Sequence, residues 1–390
     1  MKKLILMLLL FSLICSFALG EERINLSTEG SDQLYFCGFL PDGRLLFSGS
    51  AAVKGNYHKA HARLLCLNPD LSVSFDYRNP ANGECRYALA AVLPDGSIGA
   101  VFRNDPYQNP DGMEIHRFSA DGERLGEPIE LTSSDSLIDG VTPQCVAMTI
   151  YPADAEVGQR YFLDWEGNLL FRFSTRESIS GGYHILPAPD GLMLLGSTPE
   201  KPTLPKIMKV DMHGNTLWEN VLPGMVNDGF ATMEWPIATS DGGFLTLIMD
   251  RGGNINEGVA GMQWVFALTK FDSRGRVEWE NRTALTDPTR MCNNLVEYGD
   301  YYVMALRNNT LPRDEVNRFF LWFDHAGQLL GETSFALGEG EINYGIRLVP
   351  AANGLWALAD IRQEKEEWNI LEEMDTLDMV LLPVPEFTGQ

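Results

Sequence analysis

Positive charge is scarce in this chain: 390 residues carry 30 Lys+Arg against 53 Asp+Glu, a formal net charge of −23. A surface of that sign repels nucleic-acid phosphates and anionic head groups, so nucleic acid is not an expected partner. Cysteine is sparse too. Beyond the first twenty residues there are Cys37, Cys66, Cys85, Cys145 and Cys292, an odd set with no adjacent pair and no C-x-x-C spacing. They cannot all pair with one another, and a buried cysteine is by default a small hydrophobe. No nucleophile elbow, phosphate loop or H-E-x-x-H is present. After the first twenty residues no apolar run is long enough to span a bilayer.

Those first twenty residues read apart from the rest. Lys2 and Lys3 precede an apolar stretch from Leu4 to Phe17, and Ala18-Leu19-Gly20 supplies the small residues that signal peptidase needs. The expectation is an export signal over 1–20, cleaved after Gly20. It leaves one domain over 21–390, extracellular or periplasmic and monomeric.

What the chain has in abundance is a repeat. Asp-x-x-Gly recurs at Asp164–Gly167, Asp211–Gly214, Asp272–Gly275 and Asp324–Gly327. Degenerate copies stand in phase at Asn68 with Leu71, Ser119 with Gly122, and Asp375 with Asp378, at steps of 51, 45, 47, 61, 52 and 51 residues. A second signal alternates with it: Asp42-Gly43, Asp95-Gly96, Asp190-Gly191, Asp241-Gly242, Gly299-Asp300 and Asn353-Gly354. Glycine next to Asp or Asn between apolar runs marks hairpins. Each unit thus reads as four short antiparallel strands, a to d. The fourth runs Tyr183–Ala188, Leu192–Ser197, Lys206–Asp211 and Thr216–Leu222.

Unit three is the weak one, with Asp139-Gly140 at the turn distance behind a short polar run. In unit seven the Glu-rich Gln363–Glu373 reads as a short helix or, by its phase with the other units, as strand c. Seven four-stranded units close into a β-propeller, which removes the sheet edges an open array would expose. Arg23–Ser27 offers a strand to latch the first blade to the last. The fold class is all-β, a seven-bladed propeller of four-stranded antiparallel blades.

Units four and five carry a family likeness. "PDGLMLLGST…KVDMHGNTLWEN" and "SDGGFLTLIM…LTKFDSRGRVEWEN" resemble the DGG-[FY]…K-x-D-x-x-G-N-x-x-W repeats of secreted bacterial propellers, which group with the quinoprotein-alcohol-dehydrogenase-like superfamily. Trp218 and Trp279 stand at the family's tryptophan and Phe171 at that place in unit three, whereas Gly126 and Gly331 replace it in units two and six. The resemblance implies the fold and not an activity. Quinone chemistry is not expected, because the adjacent cysteines common in those enzymes are absent, and no cofactor is assigned.

In such a propeller the a–b and c–d turns share one face, and the variable b–c and d–a connections share the other. Binding residues concentrate on variable loops held by a rigid scaffold. The longest b–c connection, Asp250 to Met262 with four glycines, reads as a flap. Strand b ends in arginine in four units: Arg103, Arg251, Arg307 and Arg362. Arginine recognises carboxylate or sulfate bidentately. Aromatics fall on the same rim: Tyr57 and Tyr107 in loops, Trp235 at the start of a strand a, Trp264 and Trp368 at starts of strands c. The competing reading pairs the arginines locally with Asp105, Asp250 and Asp360.

His58-x-x-His61 lacks a third metal ligand in phase. Glu339-Gly-Glu341 is a possible Ca²⁺ contributor, the turn aspartates are expected to bond their own turns, and Glu234, Asp250, Asp105 and Asp360 are the carboxylates from which a glycosidase pair would be drawn. The expected function is an exported binding or scaffold module recognising a glycan or a protein on the b–c face. The alternatives are a secreted carbohydrate-active hydrolase or lyase and an envelope-assembly scaffold.

Overall fold

A computed structural model describes residues 23–28, 32–53, 56–79, 85–104, 112–131, 136–150, 158–175, 179–199, 203–224, 230–253, 262–282, 290–308, 318–335, 337–338, 341–363 and 378–387. For some strand residues, including Tyr57, Arg251, Trp264, Arg307 and Arg362, it describes the backbone alone. The described residues form seven four-stranded antiparallel sheets and no helix. Blade 1 comprises Asp32–Phe39, Leu45–Val53, Asn56–Leu67 and Val73–Arg78. Blade 4 comprises Ser180–Ala188, Gly191–Ser197, Pro205–Val210 and Thr216–Val221, within three residues of the sequence expectation at every boundary. The first strands of the blades touch their neighbours in order, blade 1 to blade 7 and back to blade 1, so they form the closed inner ring around the channel.

The core follows from that ring. It is divided among the seams between adjacent blades: Leu46, Leu64 and Cys66 of blade 1 against Ile98, Phe102 and Phe118 of blade 2, for example, and Val303, Phe320 and Trp322 of blade 6 against Ile346 and Leu382 of blade 7. Strand b is covered on both faces, which explains its near-continuous apolar runs; Gly191–Ser197 is buried throughout. Strand d has one neighbour only, and Thr216–Val221 alternates exposed and half-buried positions accordingly.

The Asp-x-x-Gly turns have the job assigned to them. Asp211 Oδ1 accepts from the N–H groups of His213 and Asn215 at 2.9 and 2.8 Å, and Gly214 takes the left-handed conformation at φ 84°. In blade 1 the same place falls to Leu71, at φ 66° and buried in the seam with blade 7.

The tryptophan of the repeat locks one blade to the next. Trp218 of blade 4 lies on Gly275 in the c–d turn of blade 5, and Trp279 of blade 5 lies on Gly327 of blade 6; a Cβ at either glycine would overlap the indole. Two residues further on, Asn220 Nδ2 donates to Gly275 O at 2.9 Å and Asn281 Nδ2 to Gly327 O at 2.8 Å. Phe75 and Phe171 make the same approach to Gly122 and Gly214. Blade 6 has Gly331 where the aromatic belongs, and Phe387 from the C-terminal segment fills the space, packed on Tyr301 and Trp322.

Two expectations about the repeat are corrected. In blade 3, Asp139 and Gly140 lie inside the first strand, Ser136–Val141, with a bulge between Ile138 and Gly140; the turn is Thr142–Cys145, where Thr142 Oγ1 accepts from the N–H groups of Gln144 and Cys145 and replaces an Asp-Gly turn. In blade 7, Gly354–Gln363 is strand b, residues 364–377 lie outside the described residues, and Asp378 opens strand c, Asp378–Pro383, where a c–d turn was expected. Strand d of that blade is Ile24–Asn25 from the other end of the chain, paired with Leu381 and Val380. The latch therefore supplies the missing strand, and closure leaves one c–d turn fewer than blades.

Candidate functional site

The four arginines do share an end of the molecule. Arg103 lies in Ile98–Asn104, Arg251 in Phe244–Gly253, Arg307 in Tyr301–Asn308 and Arg362 in Gly354–Gln363, each within two residues of the end of its strand b. They belong to blades 2, 5, 6 and 7. Arg251 stands in register with Phe230 and Trp264, Arg307 with Met291 and Arg318, and Arg362 with Ile342. Arg318, first residue of a strand c, escaped the sequence reading, which followed strand b alone.

Arg103 is the one whose side chain is described. Its Nη1 donates to the Tyr87 hydroxyl at 3.1 Å, and its guanidinium carbon lies 5.9 Å from the centre of that ring. Tyr87 is on strand a of the same blade and holds the guanidinium from below, a support the sequence reading did not assign.

Tyr107, Trp368 and Asp105 lie outside the described residues. Tyr57 is not in a loop: strand c of blade 1 runs over twelve residues, Asn56–Leu67, and takes in Tyr57 and His58. Trp264 is the third residue of Met262–Phe271, at the expected end. Trp235 is displaced from its expected place. It is sixth of nine in Phe230–Ala238, nearer the a–b turn than the arginine rim. Pro236 has no N–H for the ladder, so the pairing skips from Glu234 to Ile237. Trp235 sits in that bulge at φ 52°, 36% exposed. A bulky residue there is a backbone outlier of the kind that clusters at functional sites.

The carboxylates separate by environment. Asp360 meets Arg347 at 3.3 Å. Burial pushes its carboxyl above the usual range despite the nearby guanidinium. Asp250 is buried beside Arg251. Glu234 is half-buried on the inner ring, and burial raises its pKa. Its Oε2 is 4.0 Å from His184 Nε2 on the neighbouring blade. Burial lowers the pKa of His184. Glu341 is engaged by Arg23 at 2.7 Å and by the Gly338 N–H at 2.9 Å. Among the described residues no cluster of three or more metal-ligating side chains occurs. The described cysteines Cys37, Cys66, Cys145 and Cys292 are free thiols, and burial raises each pKa to about 11, or about 12 for Cys292.

No family model matches the chain, and no curated protein matches its sequence. Among solved structures the chain is similar to prolyl oligopeptidase B from Galerina marginata at 12% identity and a TM-score of 0.50, covering 93% of this chain and 52% of that one. It is similar to Raptor from Chaetomium thermophilum at 8% identity and a TM-score of 0.50, over 93% and 29% of the two chains. The β-propeller domain of the Trilobed protease from Pyrococcus furiosus matches at 11% identity with a TM-score of 0.48, over 87% and 98%. The chain thus spans about half the length of the peptidase and under a third of Raptor. At such identities the likeness is one of fold: the protein is a seven-bladed β-propeller.

Proposed function

We propose that this chain is an exported β-propeller that works without a cofactor as a binding module, taking a glycan or a protein partner on the face of the b–c connections. The DGG…W repeats favour kinship with the quinoprotein-like secreted propellers, and the apolar leader favours export. The observation that carries the reading is the arginine rim. Four blades end strand b in arginine, and Arg103 Nη1 donates to the Tyr87 hydroxyl on the neighbouring strand. In a chain of net charge −23 this favours an anionic group on the partner.

The test is calorimetry with acidic oligosaccharides and carboxylate-terminated peptides on the wild type and on Arg103→Ala with Arg307→Ala. Affinity should fall at least about tenfold, about 1.4 kcal/mol, and salt should weaken the wild-type complex. Unchanged affinity in the double variant would overturn the rim. A second reading, a carbohydrate-active hydrolase, is favoured by the raised pKa of Glu234, as a general acid requires. It predicts polysaccharide cleavage that disappears in Glu234→Gln.

A further inference from the structure

One level of the inner ring has a composition the fold alone does not require. Each first strand has one residue in register with the fourth core position of its second strand. Around the ring these are Tyr35 opposite Ser48, Leu89 opposite Val101, Leu137 opposite Thr149, His184 opposite Leu195, Glu234 opposite Leu247, Asn294 opposite Ala305 and Arg347 opposite Leu358. Blades 1 to 3 thus contribute Tyr, Leu and Leu; blades 4 to 7 contribute His, Glu, Asn and Arg.

The level is a physical collar and not only a register coincidence. Two of its neighbouring pairs meet across blade boundaries: the Arg347 guanidinium carbon lies 4.3 Å from the centre of the Tyr35 ring, and His184 Nε2 lies 4.0 Å from Glu234 Oε2. Asn294 Oδ1 accepts from the Leu348 N–H at 2.8 Å, tying blade 6 to blade 7. Its members also remain open to solvent. Tyr35 is 42% and Leu137 45% exposed, and the side chains of His184 and Glu234 are 35% and 32% exposed. Large apolar groups left uncovered on a wall whose other half is polar form a two-sided lining.

We propose that this collar is a binding site for a neutral hexose unit of a glycan, with the C–H face of the sugar on Tyr35, Leu89 and Leu137 and its hydroxyls on His184, Glu234 and Asn294. Hydroxyls both donate and accept, which matches a lining of donors and acceptors. The collar's one guanidinium, Arg347, is already paired with Asp360 at 3.3 Å, so the charge argument that favours an anion at the arginine rim does not apply. Along the second strands the collar lies two residues short of Arg103 and Arg307 and four short of Arg251 and Arg362, so it is the next level inward from the rim. It shares with the rim only the choice of glycan as ligand class.

The test is calorimetric titration of the full chain with neutral glucose hexamers of α-1,4, β-1,4 and β-1,3 linkage, repeated on Tyr35→Ala and on Glu234→Gln. At least one hexamer should bind the wild type, and each variant should weaken it tenfold or more at unchanged melting temperature. If Tyr35→Ala does not fold, the near-isosteric Glu234→Gln still decides. No binding of any hexamer at millimolar concentration overturns the proposal, as does binding that Glu234→Gln retains. Hexamer binding that depends on Glu234, together with acidic-ligand binding unaltered in the Arg103→Ala, Arg307→Ala variant, keeps the collar and sinks the rim; the opposite pattern keeps the rim and sinks the collar.

Discussion

Among the described residues two with side chains, Leu71 and Trp235, adopt a left-handed conformation, and burial decides what each is worth. Leu71 takes the turn position that glycine fills in most other blades, at φ 66°; its side chain is buried between blade 1 and blade 7. Leu71→Gly would relieve about 1–2 kcal/mol of left-handed strain but remove a buried leucine worth about 2–5 kcal/mol. The net outcome is a lower melting temperature. Trp235 at φ 52° is partly exposed and belongs to no seam cluster, so Trp235→Gly should hold stability or raise it, by up to about 1 kcal/mol. Thermal denaturation of both variants checks the pair. Opposite signs are expected, and a stabilised Leu71→Gly would sink the argument.

At the scale of the element, the repeat is a device for joining blades. The aromatic four residues past the turn glycine covers the glycine of the next turn, and the asparagine two further on binds its carbonyl. Ring and glycine are therefore coupled and not independently required. Trp279→Ala should cost about 2–4 kcal/mol, since the indole is only partly buried. Gly327→Ala should cost more in the presence of Trp279 than in its absence, because the added Cβ overlaps the indole. A double-mutant cycle read by urea denaturation should return a coupling above about 1 kcal/mol; additive losses would show that the two act separately. The same logic explains Phe387. A blade with Gly331 in the aromatic's place leaves a gap, and a distant segment occupies it.

At the scale of the molecule, stability depends on closing the ring. The N-terminal strand is held by more than its two ladder pairs. Arg63 Nη1 donates to Leu26 O and to Asp32 Oδ2, both at 2.8 Å, with all three buried, and Ser27 Oγ accepts from the Met379 N–H at 2.6 Å. Burial raises the Asp32 pKa even with Arg63 beside it. Arg63→Ala would leave that carboxylate buried without its counter-ion, at a cost of about 3–5 kcal/mol at neutral pH. The sign with pH follows from the raised folded pKa. Asp32 holds its proton more tightly when folded, so its penalty is absent at low pH and grows as pH rises past its unfolded value of 3.8. The deficit of Arg63→Ala should therefore shrink as pH falls from 7 towards 3.8, measured as a difference in denaturation midpoint. A deficit independent of pH would point to lost packing alone.

Much of this was legible in the sequence, because it is local. An Asp that bonds its own turn, a glycine at positive φ, a strand b apolar throughout and a strand d that alternates are all set within a few residues of chain. Repeating them at a period near fifty admits one efficient way to hide the sheet edges. The end of strand b, and with it the arginine rim, could be counted from the turn glycines for the same reason. What is not local could not be counted. The phase of the repeat assigned unit seven its own fourth strand, but the ring is closed by Ile24–Asn25, since an edge strand pairs with whichever segment its neighbours bring to it. The place of Trp235 turned on a bulge at Pro236. The collar of Tyr35, Leu89, Leu137, His184, Glu234, Asn294 and Arg347 spans more than three hundred residues of chain and has no sequence motif. Only the closure of seven blades about one axis brings those side chains to a common level.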